Sequence, residues 1–203
     1  MRLGILGGVF NPPHIGHLVC AQEARVQLEL DEVVMVPVGR APHREIEADP
    51  GGEVRHGLCR AAVEDDEHLE VSRLELDRPG PSYTVDTLRA LRNEHPGADL
   101  VLLLGGDQAA DLPQWHRPEE VFALAGMGVV ARSGLTPDDV RARVSGLRGA
   151  DGLRFFEMPR IDISSSLVRR RVAERLPIRY LVPRPVERLI AEHGLYRPPV
   201  PAS

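Results

Sequence analysis

Cysteine is scarce in this chain: Cys20 and Cys59 are the only two in 203 residues. So few cannot build a disulfide framework. Each falls inside an amphipathic helical pattern, where it reads as a small buried hydrophobe suited to a reducing cytoplasm. Long apolar runs are missing as well, none approaching the 18 or so residues that cross a bilayer. The apolar N-terminus is interrupted by Asn11-Pro12-Pro13-His14, too early for the apolar region of a secretory signal. Nor is there a surplus of positive charge. The 25 Lys and Arg stand against 30 Asp and Glu, a net charge of -5, which argues against a protein that coats nucleic acid, because such binding rests on excess basic residues. These absences imply a soluble, cytoplasmic protein with neither a membrane nor a nucleic-acid partner.

What is present points to an enclosed core. Hydrophobic residues make up 42% of the chain, and the length fits one domain over 1–196 with a proline-rich tail at 197–203. No internal repeat or domain linker interrupts it. Strand and helix patterns alternate almost throughout, so the expected fold class is α/β: a single-domain Rossmann-like parallel sheet with helices on both faces. Strands are expected at Leu3–Leu6, Glu32–Val38, Leu69–Leu76, Asp99–Leu104, Met127–Ala131 and Leu153–Met158. Helices are expected at Gly16–Leu30, Val54–Glu64, Ser82–Glu94, Pro118–Ala125, Pro137–Val144, Ser164–Arg175 and Pro183–His193, with mobile loops at 40–53 and 145–152.

In such a sheet ligands bind outside the carboxyl ends of the strands, where the connections diverge. The polar motifs follow strands: Gly7–His17 the first, Pro37–Arg44 the second, Gly105–Trp115 the central one and Ile163–Arg169 the last. After the apolar run Leu3–Leu6, Gly7-Gly8 lets the backbone turn where a side chain would obstruct a ligand. Pro12-Pro13 stops an early helix, so the helix that follows aims its unpaired N–H groups and positive dipole end at the loop mouth. His14 and His17 lie three apart, about one helical turn, and both imidazoles can face one anion. The same spacing suits zinc ligands, but no third ligand sits at a recognisable distance. The glycine order does not match the dinucleotide fingerprint G-x-G-x-x-G. In Ile163-Ser164-Ser165-Ser166-Leu167-Val168-Arg169, hydroxyls at a helix start can cap its N–H groups or donate to an anion, and the Arg169 fork suits phosphate oxygens. Asp107, after Gly105-Gly106, can accept from ribose hydroxyls or serve as a helix N-cap. Trp115, the sole tryptophan, can plug the core or offer its plane to a ring.

Together the Gly-Gly turn and His14-Ile15-Gly16-His17 resemble the nucleotidylyltransferase superfamily, and the longer string GGVFNPPHIGHL resembles its bacterial nicotinate mononucleotide adenylyltransferases. Ile163 to Arg169 is similar to that family's second phosphate-binding signature, Ile-Ser-Ser-Thr-x-Ile-Arg. Leu112-Pro113-Gln114-Trp115-His116 is similar to its Leu-x-x-Trp segment. The resemblance implies catalytic roles for His14, His17 and Arg169, and ATP binding by Gly7, Gly8, Val9, Phe10, Gly16, Gly105, Asp107, Ile163, Ser164 and Ser165. It further implies mononucleotide binding by Asn11, Arg44, Tyr83, Thr84 and Trp115, with the nicotinate end read at Pro81–Thr87. Among the residues implied at the site, three depart from the family: Val9 replaces a usual Thr or Ser, Asn11 a frequent Asp, and Arg44 a more frequent Lys.

The implied reaction is in-line attack of nicotinate mononucleotide on the α-phosphorus of ATP, giving deamido-NAD and pyrophosphate in NAD biosynthesis. Magnesium would accompany the ATP rather than occupy a dedicated protein site. Another adenylyltransferase of the same fold, acting on phosphopantetheine, would leave Tyr83 and Trp115 unexplained. A silent nucleotide sensor would not need His14, His17, Ser164 and Arg169 intact. The sequence leaves association into a homo-oligomer open.

Overall fold

The first strand, β1 (Arg2–Gly8), carries buried side chains from Leu3 to Leu6, as a strand covered on both faces must. It sits in the middle of a six-stranded sheet with β2 (Glu32–Pro37), β3 (Leu69–Val71), β4 (Asp99–Gly105), β5 (Gly126–Ala131) and β6 (Leu153–Glu157). The strand order is β3-β2-β1-β4-β5-β6, and every pairing is parallel. The chain runs outward from β1 to β3, then restarts beside β1 at β4 and runs the other way. The strand order therefore reverses between β1 and β4, where a parallel sheet opens a crevice at its carboxyl ends. The structure, a computed structural model, describes residues 1–42, 45–131 and 135–198.

Strand alternation divides the core between the two faces. Leu100, Leu102 and Leu104 of β4 pack on one side with α4 (Thr84–Glu94), α6 (Pro118–Leu124) and α7 (Pro137–Val144). Val101 and Leu103 pack on the other with α1 (Ile15–Gln27) and α2 (Gly52–Ala62). Both cysteines are buried on that second face, as their helical pattern implied, and burial raises the Cys59 thiol well above its ordinary range. A third apolar cluster joins α2 to α8 (Ser165–Ala173) and α9 (Arg184–Glu192) through Leu58, Val168, Val186 and Ile190. The Ile15 N–H donates to the Leu181 carbonyl at 3.0 Å, so this C-terminal unit is fastened to the start of α1.

Several boundaries differ from the expectations. The strand read at Leu69–Leu76 stops at Val71, and Leu74–Asp77 forms a short helix, α3. It is an edge strand paired only to β2, over three residues, and the Ser72 hydroxyl then accepts from the Leu74 N–H at 3.1 Å, starting the turn. The first helix ends at Gln27 rather than Leu30. Glu29 takes φ +57 and the Leu30 N–H closes on the Arg25 carbonyl at 2.8 Å, a Schellman ending without its usual glycine. The same ending, with Arg175 at φ +58 and Leu176 bonded to Arg171, stops α8 at Ala173. The segment after β4 is a five-residue helix, α5 (Gly106–Ala110), with Gly105 at its N-cap, so Asp107 stands inside the first turn rather than at the cap.

Candidate active site

Two neighbouring features stand at the carboxyl ends of β1 and β4. The first is a cleft of about 660 Å³. Gly7, Gly8 and Val9 form one wall, Tyr83 and Thr84 a second, and Trp115 a third. Trp115 is half-buried against the core cluster behind it, so it both plugs the core and faces the cleft. The His116 ring packs on Tyr83 at 4.4 Å between centroids. Among the described residues no side chain caps α4, so its first N–H groups and positive end look into the cleft beside Thr84.

Residues outside the individually assigned site residues also shape this cleft. The Ser82 hydroxyl accepts from the N–H groups of Gly39 (3.2 Å) and Arg40 (3.3 Å), while the Ser82 N–H donates to the Arg40 carbonyl at 2.8 Å. The turn after β2 is thereby stapled to the start of α4. Gly39 is required by close approach, since a Cβ there would meet the Glu75 carbonyl oxygen at 2.1 Å. Beneath Tyr83, the Thr87 hydroxyl donates to the Glu75 carboxylate at 2.6 Å and accepts from Arg78 at 3.1 Å.

The second feature is the turn leaving Val9. Phe10 holds φ +49, an uncommon conformation for a bulky residue, and its ring lies edge-on to His17 at 5.0 Å. His14 is the N-cap residue of α1, with extended backbone angles. Its N–H donates to His17 Nδ1 at 3.1 Å. A ring nitrogen that accepts leaves the proton on the other, so Nε2 of His17 is the donor. The two imidazoles stack at 3.7 Å between centroids, and Gly16 permits this, because a Cβ there would lie 3.1 Å from the His14 ring.

Across from this turn stands α8. The Ser164 hydroxyl caps it by accepting from the Leu167 N–H at 3.1 Å, which leaves its own proton available to donate. The Ser165 hydroxyl donates to the Pro12 carbonyl at 2.8 Å. Arg169 Nη1 donates to the Asn11 carbonyl at 2.9 Å, and Nη2 pairs with the Glu47 carboxylate. Thus two segments more than 150 residues apart are in direct contact. Ile163 packs into the cluster joining α2 to α9, while Gly105 and Asp107 stand at the end of β4, Asp107 exposed.

Of the residues expected at the site, Gly7, Gly8, Val9, Tyr83, Thr84 and Trp115 line the cleft. His14, His17, Ser165 and Arg169 gather along the turn. Arg44 lies outside the described residues. Asn11 is 2% exposed, with its amide engaged by protein groups. Missed entirely were Arg55, fully buried, which donates to the Val9 carbonyl at 3.1 Å and to Asp49 at 2.9 Å, and Tyr196, whose hydroxyl meets Asn11 at 2.7 Å. Their signal was weak because both join segments far apart in the chain. Among the described residues no group of three His, Cys, Asp or Glu could hold a metal ion, and no helix is long and apolar enough to cross a membrane.

A crevice at the sheet's switch point, a positive helix end and a clustered set of phosphate-type donors define a nucleotide-handling α/β enzyme. The cytidylyltransferase-like family model matches residues 5–171, and the chain belongs to that family of nucleotidyltransferases. Its more specific kinship is with the nicotinate-nucleotide adenylyltransferases. A probable nicotinate-nucleotide adenylyltransferase of Thermomicrobium roseum is 43% identical over 97% of this chain and 92% of the relative. One from Thermus thermophilus is 42% identical over 97% and 100%. The solved structure of Plasmodium falciparum nicotinic acid mononucleotide adenylyltransferase complexed with NaAD superposes with a TM-score of 0.77, covering 96% of this chain and 97% of that one. At 16% identity this likeness shows a shared fold.

Proposed function

We propose that this chain transfers AMP from ATP to nicotinate mononucleotide, giving deamido-NAD and pyrophosphate in the cytoplasm. The observation that carries this reading is the direct contact between the His14–His17 turn and the start of α8, beside an aromatic cleft that reaches the N-terminus of α4. The mononucleotide phosphate oxygen is an adequate nucleophile, so the protein's task is to position two anions and offset charge. His17 Nε2–H, fixed in its tautomer by the His14 N–H, donates to the α-phosphate oxygens as charge builds on them. Arg169 and the Ser164 and Ser165 hydroxyls hold the β and γ groups, with Arg169 exchanging Glu47 for phosphate. Asp107 accepts from the adenosine ribose. Trp115 and Tyr83 flank the pyridine ring, and the first N–H groups of α4 receive its carboxylate.

Magnesium would accompany the triphosphate, bound to its oxygens. When bound with ATP it shields the negative charge of the phosphates.

The test compares nicotinate and nicotinamide mononucleotides as substrates in a pyrophosphate-release assay. This reading expects the acid to be favoured, because a helix N-terminus discriminates a carboxylate from a neutral amide. Equal rates, or release only with phosphopantetheine, would overturn it.

A further inference from the structure

The turn that carries the imidazoles is held by contacts the proposed chemistry does not use. Asn11 Nδ2 donates to the main-chain carbonyls of Glu47 (2.8 Å) and Ala48 (3.2 Å). Its Oδ1 accepts from the Tyr196 hydroxyl at 2.7 Å, from a residue 185 positions further along the chain. Carbonyl oxygens only accept, so residues 47 and 48 demand the NH₂ end of an amide and leave Oδ1 to face a donor. A carboxylate at position 11 would set oxygen against two carbonyl oxygens. In this chain Asn is therefore the fitting residue, where the related motif often carries Asp. Burial keeps the Tyr196 phenol protonated, its titration raised well beyond the ordinary range.

The contacts close into a ring. Glu47, whose carbonyl Asn11 holds, pairs through its carboxylate with Arg169, and Arg169 returns to the Asn11 carbonyl. The C-terminal tyrosine thus bears on the same turn as the arginine proposed to hold phosphate.

We propose that Asn11 and Tyr196 are a positioning pair: the tyrosine fixes the Asn11 amide, which ties residues 47–48 to the His14–His17 turn and presets the place where triphosphate is gripped. Neither side chain touches substrate. This rests on the reading that His17 and Arg169 meet the triphosphate, and it adds that the C-terminal segment sets the geometry at which they do so.

The test uses the full-length protein with Tyr196→Phe, Asn11→Asp and the double variant, scored by melting temperature and by kcat and KM for each substrate. A misplacement near 1 Å can cost about a hundredfold in rate. Tyr196→Phe is expected to lower kcat about tenfold and Asn11→Asp about a hundredfold, with KM for the mononucleotide within about twofold, because its ring cleft is built by other elements. Since both substitutions break one tie, adding Tyr196→Phe to Asn11→Asp should cost less than about twofold more. A Tyr196→Phe protein that melts lower but keeps kcat within twofold of the parent overturns the proposal, as do effects that multiply in the double variant. Should one single variant fail to fold, the other is judged by the same kcat criterion. A folded His17→Ala protein with normal turnover would defeat the underlying reading. Lost turnover in His17→Ala beside unchanged kcat in Tyr196→Phe and Asn11→Asp would defeat only this inference.

Discussion

The cleft between β1 and β4 and the turn beside α8 are built in contrasting ways, although they meet at Val9. The cleft is made of strand ends and a helix start, with apolar side chains rooted in the core cluster: Leu102 and Leu104 lie beneath it and Trp115 leans on the same packing. Removing one side chain there leaves the backbone frame in place. The turn is held by single hydrogen bonds from distant elements, each side-chain donor meeting one loop carbonyl: Arg55 at Val9, Arg169 at Asn11, Ser165 at Pro12. Its geometry therefore depends on individual residues, and function should be more sensitive there than stability.

Four measurements can break or sharpen that contrast. His17→Ala removes a fixed donor while leaving the fold's packing intact, so kcat should fall by about a hundred- to a thousandfold with little change in melting temperature; near-normal turnover in a folded sample would contradict the role. Arg169→Lys keeps the charge but loses the planar fork, and kcat/KM for ATP should fall about tenfold to a hundredfold in steady-state assays. In the cleft, Trp115→Ala should raise KM for the mononucleotide about tenfold, consistent with an aromatic contact of about 1 kcal/mol plus lost packing, while KM for ATP stays within about twofold. A rise in KM for ATP instead would place the adenylate in the cleft.

The smallest effect lies away from both regions. His56 on α2 is buried, with no hydrogen-bond partner for Nε2 among the described residues, and burial, aided by Arg73 and Arg60 nearby, lowers its titration below the ordinary 6.5. The unfolded chain binds that proton more readily. Its contribution to stability is therefore complete above the unfolded value and is lost as the pH falls below it. Melting temperature should decline on acidification from pH 7 to pH 5, and His56→Leu should flatten the decline.

The cleft was largely legible in the sequence because local signals write it: an apolar run, a Gly-Gly turn and a polar segment opening a helix around Tyr83 and Thr84. The grouping of His14, His17, Ser165 and Arg169 was legible for a different reason, since every motif followed a strand and a parallel sheet gathers those ends. What escaped were the ties. Arg55 reads as an ordinary residue of a helical segment and Tyr196 as the last residue before the proline-rich tail, and nothing local shows that they reach Val9 and Asn11. The helix ends at Gln27 and Ala173 were overrun because Glu29 and Arg175 take the left-handed conformation that glycine usually announces. The strand after residue 69 was overrun because alternation continued where its single pairing partner did not.

The central claim is that the imidazole turn and the start of α8 grip one triphosphate while the aromatic cleft holds the pyridine ring. A crystal structure with a non-hydrolysable ATP analogue and nicotinate mononucleotide tests it most directly. The account predicts phosphate oxygens within hydrogen-bonding distance of both His17 Nε2 and the Arg169 guanidinium, and the pyridine ring against Trp115. A triphosphate that contacts only one of those two groups, or that lies in the cleft with Trp115 stacked on adenine, would contradict it.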